Sequence, residues 1–521
     1  MMLKMRTIAH LPCIALALLC IQLAVGFQLV SGKHPDIVMI AIDDLRPMLG
    51  CYGDQRIQSP NIDSIAKSGV VFERAYCQYA KCGTSRLSLM LGLRPDSIGV
   101  FSNRASDVEN FRANHPDIDS IARWLKKSGY YTQSFGKIYH DGWDSPDDWS
   151  TDSHPGREGE ILEVTDIQNA SAPTVIAERL DCPVMQAPDV NDDHLFAGRM
   201  ATKVIDTIKQ YQNSQPLFLA IGFRRPHLPF IAPKSYFDQY QVDDSWLAAN
   251  QGPPAGVPLM AWFNSDGYVG SARKAGLTMP LRPEHAEARD WNGYELRSYR
   301  GVPNNGTIPR ETQLNLIHAY AACISYVDAQ IGRVLGSLKQ SSRFKNAVIV
   351  LWSDHGWHLG EQSAWGKMTN YEIATRVPLI ISAPLLKPRH TDHVSELVDL
   401  YPTLCDIAQV PKPDHLEGES LIHILHHNHG SERVDSESAA LSQYNRFRNR
   451  YMGRSIRTQN HRYVAWFDQR ENRIVARELY DHRVDSDETR NLATAKGHEA
   501  TVADFDQKLR RLFKLPAMVV P

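Results

Sequence analysis

The sequence predicts an α/β protein built on a large, mostly parallel sheet with helices on both faces. Two observations indicate this class. Short apolar runs, among them "DIVMIAI" and "PLFLAIGF", have the length and the β-branched content of buried parallel strands. A stretch with helical spacing, "SPNIDSIAKSG", has a Ser-Pro entry and a glycine exit. Strands that alternate with such helices are typical of a parallel sheet covered on both sides.

Further segments continue this alternation along the chain. "IDSIARWLKKSG" has helical spacing and leads directly into the strand-like "YYTQSFGKIYH". "NAVIVLWSDHGWH" is another apolar run that ends in polar residues. Residues 311–339 have helical periodicity over a long stretch, which predicts a crossover helix before that last strand.

Several other features of the sequence have a structural rather than a functional interpretation. Tyr320 and Tyr326 have the spacing of core residues within the long helix. Residues 158–189 and the Pro/Gly-rich "NQGPPAGVP" are predicted to be long excursions at the surface.

The pattern of predicted secondary structure changes near residue 435. "RSIRTQNHRYVAWF" and "ARELYDHRVD" are short strands flanked by turns, and "ATVADFDQKLRRLF" is a helical tail. We therefore predict a catalytic domain over residues 27–434, followed by a smaller C-terminal α+β subdomain over 435–521 with an antiparallel sheet.

The N-terminus has the pattern of a secretory signal peptide at residues 1–26. Lys4 and Arg6 precede an apolar run, and Ala24-Val25-Gly26 supplies small residues at a cleavage site. A signal anchor is the alternative, although the run is short for a membrane span. No later segment is apolar enough to span a bilayer, so we expect an exported protein without a stable membrane span. Its compartment would be periplasmic, extracellular or lysosome-like.

The composition excludes some functions. The chain is 43% hydrophobic and 22% charged, as in a globular protein with a large core, and its formal net charge of −2 does not favour nucleic-acid binding. The cysteines after the signal lack C-x-x-C spacing, so disulfides are optional. The sequons at Asn169 and Asn305 matter only if the source glycosylates.

Acidic residues follow two of the predicted strands. Asp43 and Asp44 come directly after the first strand, and Asp354 and His355 follow another. Ligands of such sheets bind beyond the carboxyl ends of the strands. Carboxylates suit a hard divalent cation such as Ca²⁺ or Mg²⁺. These acids could instead cap the following turn or helix, but two such pairs at strand ends favour a metal site.

Basic residues and histidines occur at similar positions. Lys137 and His140 lie in "GKIYH", His227 lies in "RRPHLP", and Lys367 lies in "WGKMTN". Each alone could be a surface lysine or a histidine bonded within a loop. Together they indicate a pocket for an oxyanion, with cations for charge and histidines for proton transfer.

The stretch "CGTSRLSLMLGLRP" at residues 82–95 resembles the type I sulfatase signature, C-x-P-S-R followed by a helix. Other landmarks of that family occur in the same order, and the match covers nearly the whole mature chain. Within the family, the chain is most similar to the iduronate-2-sulfatases and their bacterial relatives. The segments that carry this resemblance are "IDDLRPMLGCYGD", "HAYAACISYVDAQIGRVL", and His355 where many sulfatases have asparagine.

This resemblance implies an alkaline-phosphatase-like fold and a particular chemistry. In the family, a formylglycine-generating enzyme oxidises the motif cysteine, here Cys82, to formylglycine, and the hydrate of that aldehyde is the nucleophile. One hydroxyl attacks sulfur and the alcohol leaves. The second hydroxyl then loses its proton, which expels sulfate.

The resemblance also implies roles for individual residues. Arg86 and Lys137 would orient and polarise the hydrate, and His140 would be the base for the elimination. His227 and Lys367 would contact the sulfate and the leaving oxygen, with His227 the better candidate for the acid. The residues implied to hold Ca²⁺, with Mg²⁺ as a second candidate, are Asp43, Asp44, the residue derived from Cys82, Asp354 and His355.

The implied substrate is a sulfated sugar, expected to be a uronate 2-O-sulfate in a polysaccharide. The basic "NRFRNR" (Arg446, Arg448, Arg450) could contact an anionic glycan or simply form a solvated face. Because Asp-His pairs also occur in zinc phosphatases, His355 keeps open a phosphomonoester or phosphonate hydrolase of the same superfamily.

Thr84 departs from the signature, because it stands where the family has proline or sometimes alanine, a position that the oxidising enzyme contacts. If this change prevented conversion of Cys82, the chain would be a catalytically silent protein that binds sulfated glycans. The sequence leaves this alternative open.

Overall fold

The computed structural model describes residues 34–152, 182–426 and 438–515. The predicted signal peptide, the sequon at Asn169, most of the predicted excursion at 158–189, and the boundary between residues 434 and 435 lie outside these ranges. The signal peptide and the domain boundary therefore stay predictions.

The strands and helices of the described residues are numbered in chain order. The strands are β1 (Ile37–Ile42), β2 (Gly69–Tyr76), β3 (Tyr131–Gly136), β4 (Met185–Gln186), β5 (Leu217–Phe223), β6 (Phe230–Ile231), β7 (Val348–Ser353), β8 (His358–Leu359), β9 (Trp365–Gly366), β10 (Arg376–Val377), β11 (Leu379–Ser382), β12 (Arg389–Glu396), β13 (Ala440–Arg446), β14 (Tyr451–Arg457), β15 (His461–Asp468) and β16 (Arg473–Asp481). The α-helices are α1 (Pro60–Ala66), α2 (Cys82–Leu91), α3 (Pro95–Ile98), α4 (Ala105–Asn114), α5 (Ile121–Lys127), α6 (Phe196–Gln210), α7 (Lys234–Phe237), α8 (Leu259–Trp262), α9 (Val269–Lys274), α10 (His285–Trp291), α11 (Tyr294–Arg297), α12 (Arg310–Gln340), α13 (Glu372–Thr375), α14 (Leu400–Ala408), α15 (Ile422–His426) and α16 (Glu499–Leu512).

The large sheet contains eight strands in the part of the chain that the structure describes. Its centre is the parallel set β7-β1-β5-β3, in which the last residues of three strands, Ile42, Phe223 and Ser353, lie in register. On the other side of β7, β11 runs antiparallel to both β7 and β2, while β12 is parallel to β2. The predicted sheet, mostly parallel and mixed, is confirmed.

Both faces of the sheet are covered, which explains why β1 is apolar along its whole length. Val38, Ile40 and Ile42 pack into one core with helices α1, α6 and α12. The alternate residues Ile37, Met39 and Ala41 pack into a second core with α2, α5 and α14. This is the period-2 alternation of a strand, with an apolar layer on each side.

The predicted crossover helix is α12, and it carries two buried tyrosines whose hydroxyls are bonded. Tyr326 accepts a hydrogen bond from the backbone N–H of Gly198 at 2.9 Å and donates to the Asp192 carbonyl at 3.0 Å. Tyr320 donates to the Asp44 carbonyl at 2.7 Å. The assignment of both tyrosines to the core is confirmed, and Tyr320 also supports the turn that follows β1.

The C-terminal strands form the predicted antiparallel sheet, in the order β13-β14-β15-β16. Helix α16 packs against it through Phe505 and Leu509. None of the helices in the described ranges is long and apolar enough to cross a membrane. All six cysteines of the described ranges are free thiols.

An ion-pair network joins the small sheet to the large domain. Glu372, in α13, accepts hydrogen bonds from Arg457 Nε at 2.8 Å and from an Arg462 terminal nitrogen at 2.5 Å. Arg462 also donates from Nε to Glu488 at 2.6 Å. The Arg462 side chain is fully buried, so its charge depends on these two carboxylates.

We predict that Glu372→Gln lowers the free energy of unfolding by roughly 3 kcal/mol, because it removes one of the two carboxylates that pair with the buried Arg462 guanidinium. Denaturant unfolding of purified protein measures the change. The matched control is Glu471→Gln in the exposed pair with Arg473, which should change stability by less than about 0.5 kcal/mol. Equal effects of the two substitutions would show that the buried network does not stabilise the interface.

Candidate active site

The functional residues predicted from sequence meet at one edge of the large sheet. Asp43 follows β1, Lys137 follows β3, His227 lies four residues beyond β5, and Asp354 follows β7. These four strands are parallel and adjacent, so their carboxyl ends share an edge. The structure therefore brings these four residues together at that edge, and their roles stay predictions.

Five potential metal ligands converge at this edge. Their ligand atoms all lie within 4.8 Å of one another, and all five residues are buried: Asp43, Asp44, Cys82, Asp354 and His355. Asp44 has a positive φ of 62°. Aspartate tolerates this region better than most residues do, and the turn frees Asp44 from strand geometry. The Asp44 N–H donates to Asp354 Oδ1 at 3.0 Å, which links the two strand ends.

Cys82 is the first residue of α2, and its thiol lies inside this cluster. Its Sγ is 3.3 Å from His355 Nε2 and 3.7 Å from Asp44 Oδ1. The next residue must be glycine, because a Cβ at Gly83 would lie 2.6 Å from the ring of Trp143. Close packing at Gly83 therefore fixes the start of the helix against the loop after β3.

Thr84, which departs from the family signature, has a structural role. Its hydroxyl donates to the Val100 carbonyl at 3.0 Å, and its side chain is fully buried. The first hydrogen bond that closes the helix runs from Ser85 N–H to the Lys81 carbonyl. Because the Thr84 N–H precedes that bond, proline would fit the helix here but would remove the donor to Val100.

Arg86 forms hydrogen bonds to two carboxylates of the cluster. Its Nε donates to Asp354 Oδ2 at 2.8 Å, and a terminal nitrogen donates to Asp43 Oδ1 at 3.2 Å. The other terminal nitrogen donates to the backbone carbonyls of Lys137 and Ile138. Lys137 in turn donates from Nζ to Asp43 Oδ2. Arg86 thus holds the ends of β1, β3 and β7 together.

Lys367 also contacts the cluster. Its Nζ lies 2.8 Å from Asp44 Oδ1, 3.2 Å from Cys82 Sγ and 3.4 Å from Glu295 Oε1. Glu295 is a buried carboxylate in α11 that sequence reasoning missed, since no motif surrounds it. Lys367 therefore connects the nucleophile position to both a predicted ligand and an unpredicted acid.

His227 presents one ring nitrogen to the site. Its Nδ1 is 2.6 Å from the Leu228 carbonyl, and its Nε2 is 3.9 Å from both Asp44 Oδ2 and Glu295 Oε1. Bonding of Nδ1–H to a carbonyl leaves Nε2 as the nitrogen that can exchange a proton within the site.

His140 is the most peripheral of the predicted residues. Its ring packs 5.3 Å from that of Trp143, the residue that lies against Gly83. Its Nδ1 is buried and forms no hydrogen bond to any residue in the described ranges. His140 therefore borders the nucleophile position through Trp143, and one of its ring nitrogens has no partner among those residues.

A model for the protein family described as Sulfatase matches residues 35–410.

The chain belongs to the sulfatase family.

It is a sulfuric ester hydrolase. A second family model, described as N-sulphoglucosamine sulphohydrolase, C-terminal, matches residues 360–514 of this sulfatase. Iduronate 2-sulfatase of Mus musculus is 32% identical, over 90% of this chain and 92% of the relative. Iduronate 2-sulfatase of Homo sapiens is 29% identical, over 88% and 90%. The predicted similarity to the iduronate-2-sulfatases is confirmed.

Solved structures confirm the alkaline-phosphatase-like fold. The phosphonate monoester hydrolase of Agrobacterium radiobacter superposes with a TM-score of 0.70 at 22% identity, over 92% of this chain and 95% of that one. A 2-O GAG sulfatase superposes with a TM-score of 0.65 at 20% identity, over 92% of each chain. At this level of identity the similarity concerns the fold alone.

Burial and neighbouring cations set the charges of the two adjacent aspartates in this sulfatase. Burial alone would raise the pKa of Asp43, but Lys137 and Arg86 outweigh it and hold that pKa well below its usual value. Burial raises the pKa of Asp44 well above its usual value, and Lys367 offsets this only in part. The pKa values of the two carboxylates are therefore shifted in opposite directions, although the residues are neighbours in sequence.

The same factors act on the remaining groups. Burial, and then the Asp43 charge, raise the pKa of the Cys82 thiol to about 11. Burial would lower the pKa of Lys367, but Asp44 and other anions hold it well above the usual value. Burial, followed by repulsion from Lys367, lowers the pKa of His227 well below its usual value. Near neutral pH the site thus contains a thiol, an ammonium and a neutral imidazole.

An open cavity of about 660 Å³ adjoins the cluster, and sequence reasoning did not anticipate its lining. It includes the chain neighbours of three site residues: Lys81 beside Cys82, Met368 beside Lys367, and Tyr294 beside Glu295. The cavity is large enough for a sugar residue, and it is lined by residues that are adjacent in the chain to members of the site.

The arginines of "NRFRNR" do not form one surface. Arg446 is buried and donates to the carbonyls of Met260, at 3.0 Å, and Met368, so a solvated face is wrong for this residue. It supports the segment that carries Lys367. Arg448 is exposed at the rim of the cavity, and Arg450 is bonded to Asp468 at 2.9 Å.

We predict that the His140 imidazole stays neutral from pH 5 to 8, because burial and then Lys137 lower its pKa to about 3. The unfolded chain takes up this proton below about pH 6.5, so the contribution of His140 makes stability fall as pH falls from about 6.5 to about 3.

NMR of ¹³C-labelled histidine, with His140→Gln to assign the resonance, measures this. The His140 ring signal should be flat across pH 5–8 in the folded protein and should titrate near pH 6.5 in denaturant. A folded-state midpoint near 6.5 would contradict the prediction.

Proposed function

We propose that this sulfatase is exported and removes sulfate from a sulfated sugar, specifically a uronate 2-O-sulfate within a polysaccharide. One observation carries the proposal: Lys367 and His227 meet a cluster of five potential metal ligands, Cys82 among them, next to a cavity that is large enough for a sugar. The Mus musculus relative, an iduronate 2-sulfatase at 32% identity, supports the substrate class. The sequence pattern of residues 1–26 supports export.

We propose that Cys82 is converted to formylglycine by a formylglycine-generating enzyme. The position supports this assignment, because Cys82 begins a ten-residue helix whose N-terminal N–H groups favour negative charge. Bound in this place, the hydrated aldehyde would supply an oxygen nucleophile and a hydroxyl through which the ester product can be released. Lys367, at 3.2 Å from the Cys82 sulfur, is placed to stabilise charge on that oxygen.

The cluster fits a hard divalent cation, and we propose Ca²⁺, with Mg²⁺ as the second candidate. Three fully buried carboxylates and one imidazole nitrogen converge within 4.8 Å, a donor set rich in carboxylate oxygens. Asp43, Asp44, Asp354, His355 and the residue derived from Cys82 would hold the ion. When bound, the cation would neutralise charge on the sulfuryl group.

The protein's own side chains would carry the remaining steps. Arg86 and Lys137 fix the carboxylates, and so they position the nucleophile rather than the sugar. Lys367 would bind the sulfate. His227 would take up a proton within the site and donate it from Nε2 to the leaving oxygen. The Glu295 carboxylate, at 3.9 Å from Nε2, would stabilise the protonated imidazole. His140, neutral at working pH, is suited to accept the proton of the second hydroxyl.

A phosphomonoester or phosphonate hydrolase of the same superfamily is the second candidate, and a zinc phosphatase would need a second metal ion. Apart from the cluster just described, one other group of potential ligands occurs in the described ranges: Glu372, His482 and Glu488. Arg457 and Arg462 already bond to its carboxylates. A second ion beside the first has no support there, so the single cluster favours a sulfatase.

We predict that mass spectrometry of the peptide containing Cys82, from protein purified from its own source, shows the loss of sulfur and an aldehyde. Thr84→Pro should raise the converted fraction and keep the fold, because the Thr84 N–H precedes the first bond of the helix. Thr84→Ser, which keeps a hydroxyl, is the matched control. A thiol in the native-source protein would contradict the formylglycine mechanism and support the silent glycan-binding protein.

We predict that the purified enzyme releases sulfate from an aryl sulfate at least 100-fold faster than phosphate from the matching aryl phosphate. Asp354→Asn should abolish metal binding, measured by elemental analysis, and should lower turnover at least 1000-fold. The reason is that it removes the negative charge of a proposed metal ligand, which also accepts a hydrogen bond from Arg86.

A thermal melt of the Asp354→Asn variant should still show a cooperative transition. A preference for phosphate would overturn the proposed activity, and full metal content in the variant would remove Asp354 from the metal site.

A further inference from the structure

We propose that Lys81 is a specificity-determining residue that binds a second negative charge on the sugar, the carboxylate of the uronate whose sulfate is removed. The inference rests on the proposed function and goes beyond it, because it assigns recognition of the sugar to a side chain outside the catalytic cluster. The sequence gives no signal for this role, since Lys81 simply precedes the cysteine motif.

The position of Lys81 brings it to the substrate. It is the residue before Cys82 and stands at the N-cap of α2 in extended conformation, with φ −157° and ψ 131°. Its side chain is half-buried and lines the cavity, together with Met368 and Tyr294. A sugar that occupies this cavity therefore lies beside Lys81, one residue from position 82.

The ammonium of Lys81 lacks the partners that the other two lysines of the site have. Lys137 is bonded to Asp43, and Lys367 is bonded to Asp44. Among the residues that the structure describes, no hydrogen bond or ion pair involves the side chain of Lys81. A half-buried ammonium without an acceptor is unfavourable, and a carboxylate in the cavity would supply that acceptor.

The acids nearest to Lys81 are already engaged elsewhere. Asp266 accepts the N–H of Phe447 at 2.6 Å and lies 3.9 Å from Arg446. Glu295 lies 3.4 Å from Lys367. Glu295 and Asp266 attract the Lys81 ammonium without forming a hydrogen bond to it. These anions compensate the charge of Lys81 from a distance and leave its hydrogen-bonding capacity for a ligand.

Lys81 is a better candidate than the other cations that line the cavity. Arg446 is already bonded to two backbone carbonyls. Arg104 and Lys274 are exposed. Arg448 is exposed at the rim, where solvent and salt weaken a charge contact. Lys81 is half-buried and adjacent to the nucleophile position, so a contact there discriminates between sugars that differ next to the scissile sulfate.

The experiment compares two substrates in the full-length enzyme: the methyl glycoside of a uronic acid 2-O-sulfate, and the same sugar reduced at the carboxyl to an alcohol. Ion chromatography of released sulfate gives kcat/KM for each, and the readout is the ratio of acid to alcohol. Loss of a charge-assisted hydrogen bond predicts that Lys81→Gln lowers this ratio about 10- to 100-fold, chiefly through KM. Lys81→Arg should keep the ratio within about threefold of wild type, because it keeps the charge.

The matched control is Lys209→Gln, an exposed lysine of α6 outside the site, which should leave the ratio unchanged. Added salt should lower the wild-type ratio and should leave that of Lys81→Gln nearly constant. An unchanged ratio in Lys81→Gln would overturn the assignment of Lys81 and leave the sulfatase activity intact. Failure of the wild type to release sulfate from either sugar would instead overturn the proposed substrate.

A competition assay and a disulfated substrate test the same contact. If Lys81→Gln does not fold, competition against the wild type replaces it: glucuronate should inhibit at least 10-fold more tightly than glucose, and equal inhibition would overturn the proposal. A carboxyl-reduced sugar with a second sulfate on its neighbour tests the other source of negative charge. If only that substrate depends on Lys81, the recognised group is a sulfate, and the carboxylate assignment is wrong.

Discussion

The buried guanidinium of Arg86 is the interaction on which the rest of this site depends. A charge in the core must be paired and fully hydrogen-bonded, and Arg86 satisfies this with two carboxylates and two backbone carbonyls. Those partners come from the ends of β1, β3 and β7. The requirement to pair one arginine therefore holds three strand ends at a fixed separation, and Asp43 and Asp354 are oriented by the same contacts.

The spacing of the motif then determines where Cys82, the proposed source of the nucleophile, lies. Cys82 and Arg86 are four residues apart at the start of α2, so they lie on the same face of the helix. Arg86 faces inward to its carboxylates, and Cys82 is thereby directed at the same cluster. Gly83 allows the close approach of Trp143. Thr84 replaces the family's proline with a hydrogen bond to Val100, so its presence has a structural reason in this protein.

The charges around the cluster divide into two layers. Arg86 and Lys137 bind carboxylates and serve to position them. Lys367 and His227 both lie near Glu295, and in the proposed mechanism they contact the substrate. Lys81 lies one step further out, beside the space for the sugar. In the proposed mechanism, chemistry and recognition use different cations, and this separation would allow substrate preference to change without loss of the catalytic cluster.

The sequence by itself determined the fold class, the family and the residues that follow the strands, because these depend on local periodicity and on short motifs. It could not identify Glu295 or the cavity, since both arise from segments far apart in the chain: Glu295 meets Lys367 across more than seventy residues. It also left Arg446 open between a glycan contact and a solvated face, although Arg446 is buried against the Met368 carbonyl. Only the tertiary structure decides which charged groups find partners and which, like Lys81 within the described ranges, do not, because pairing depends on distance in space rather than on position in the chain.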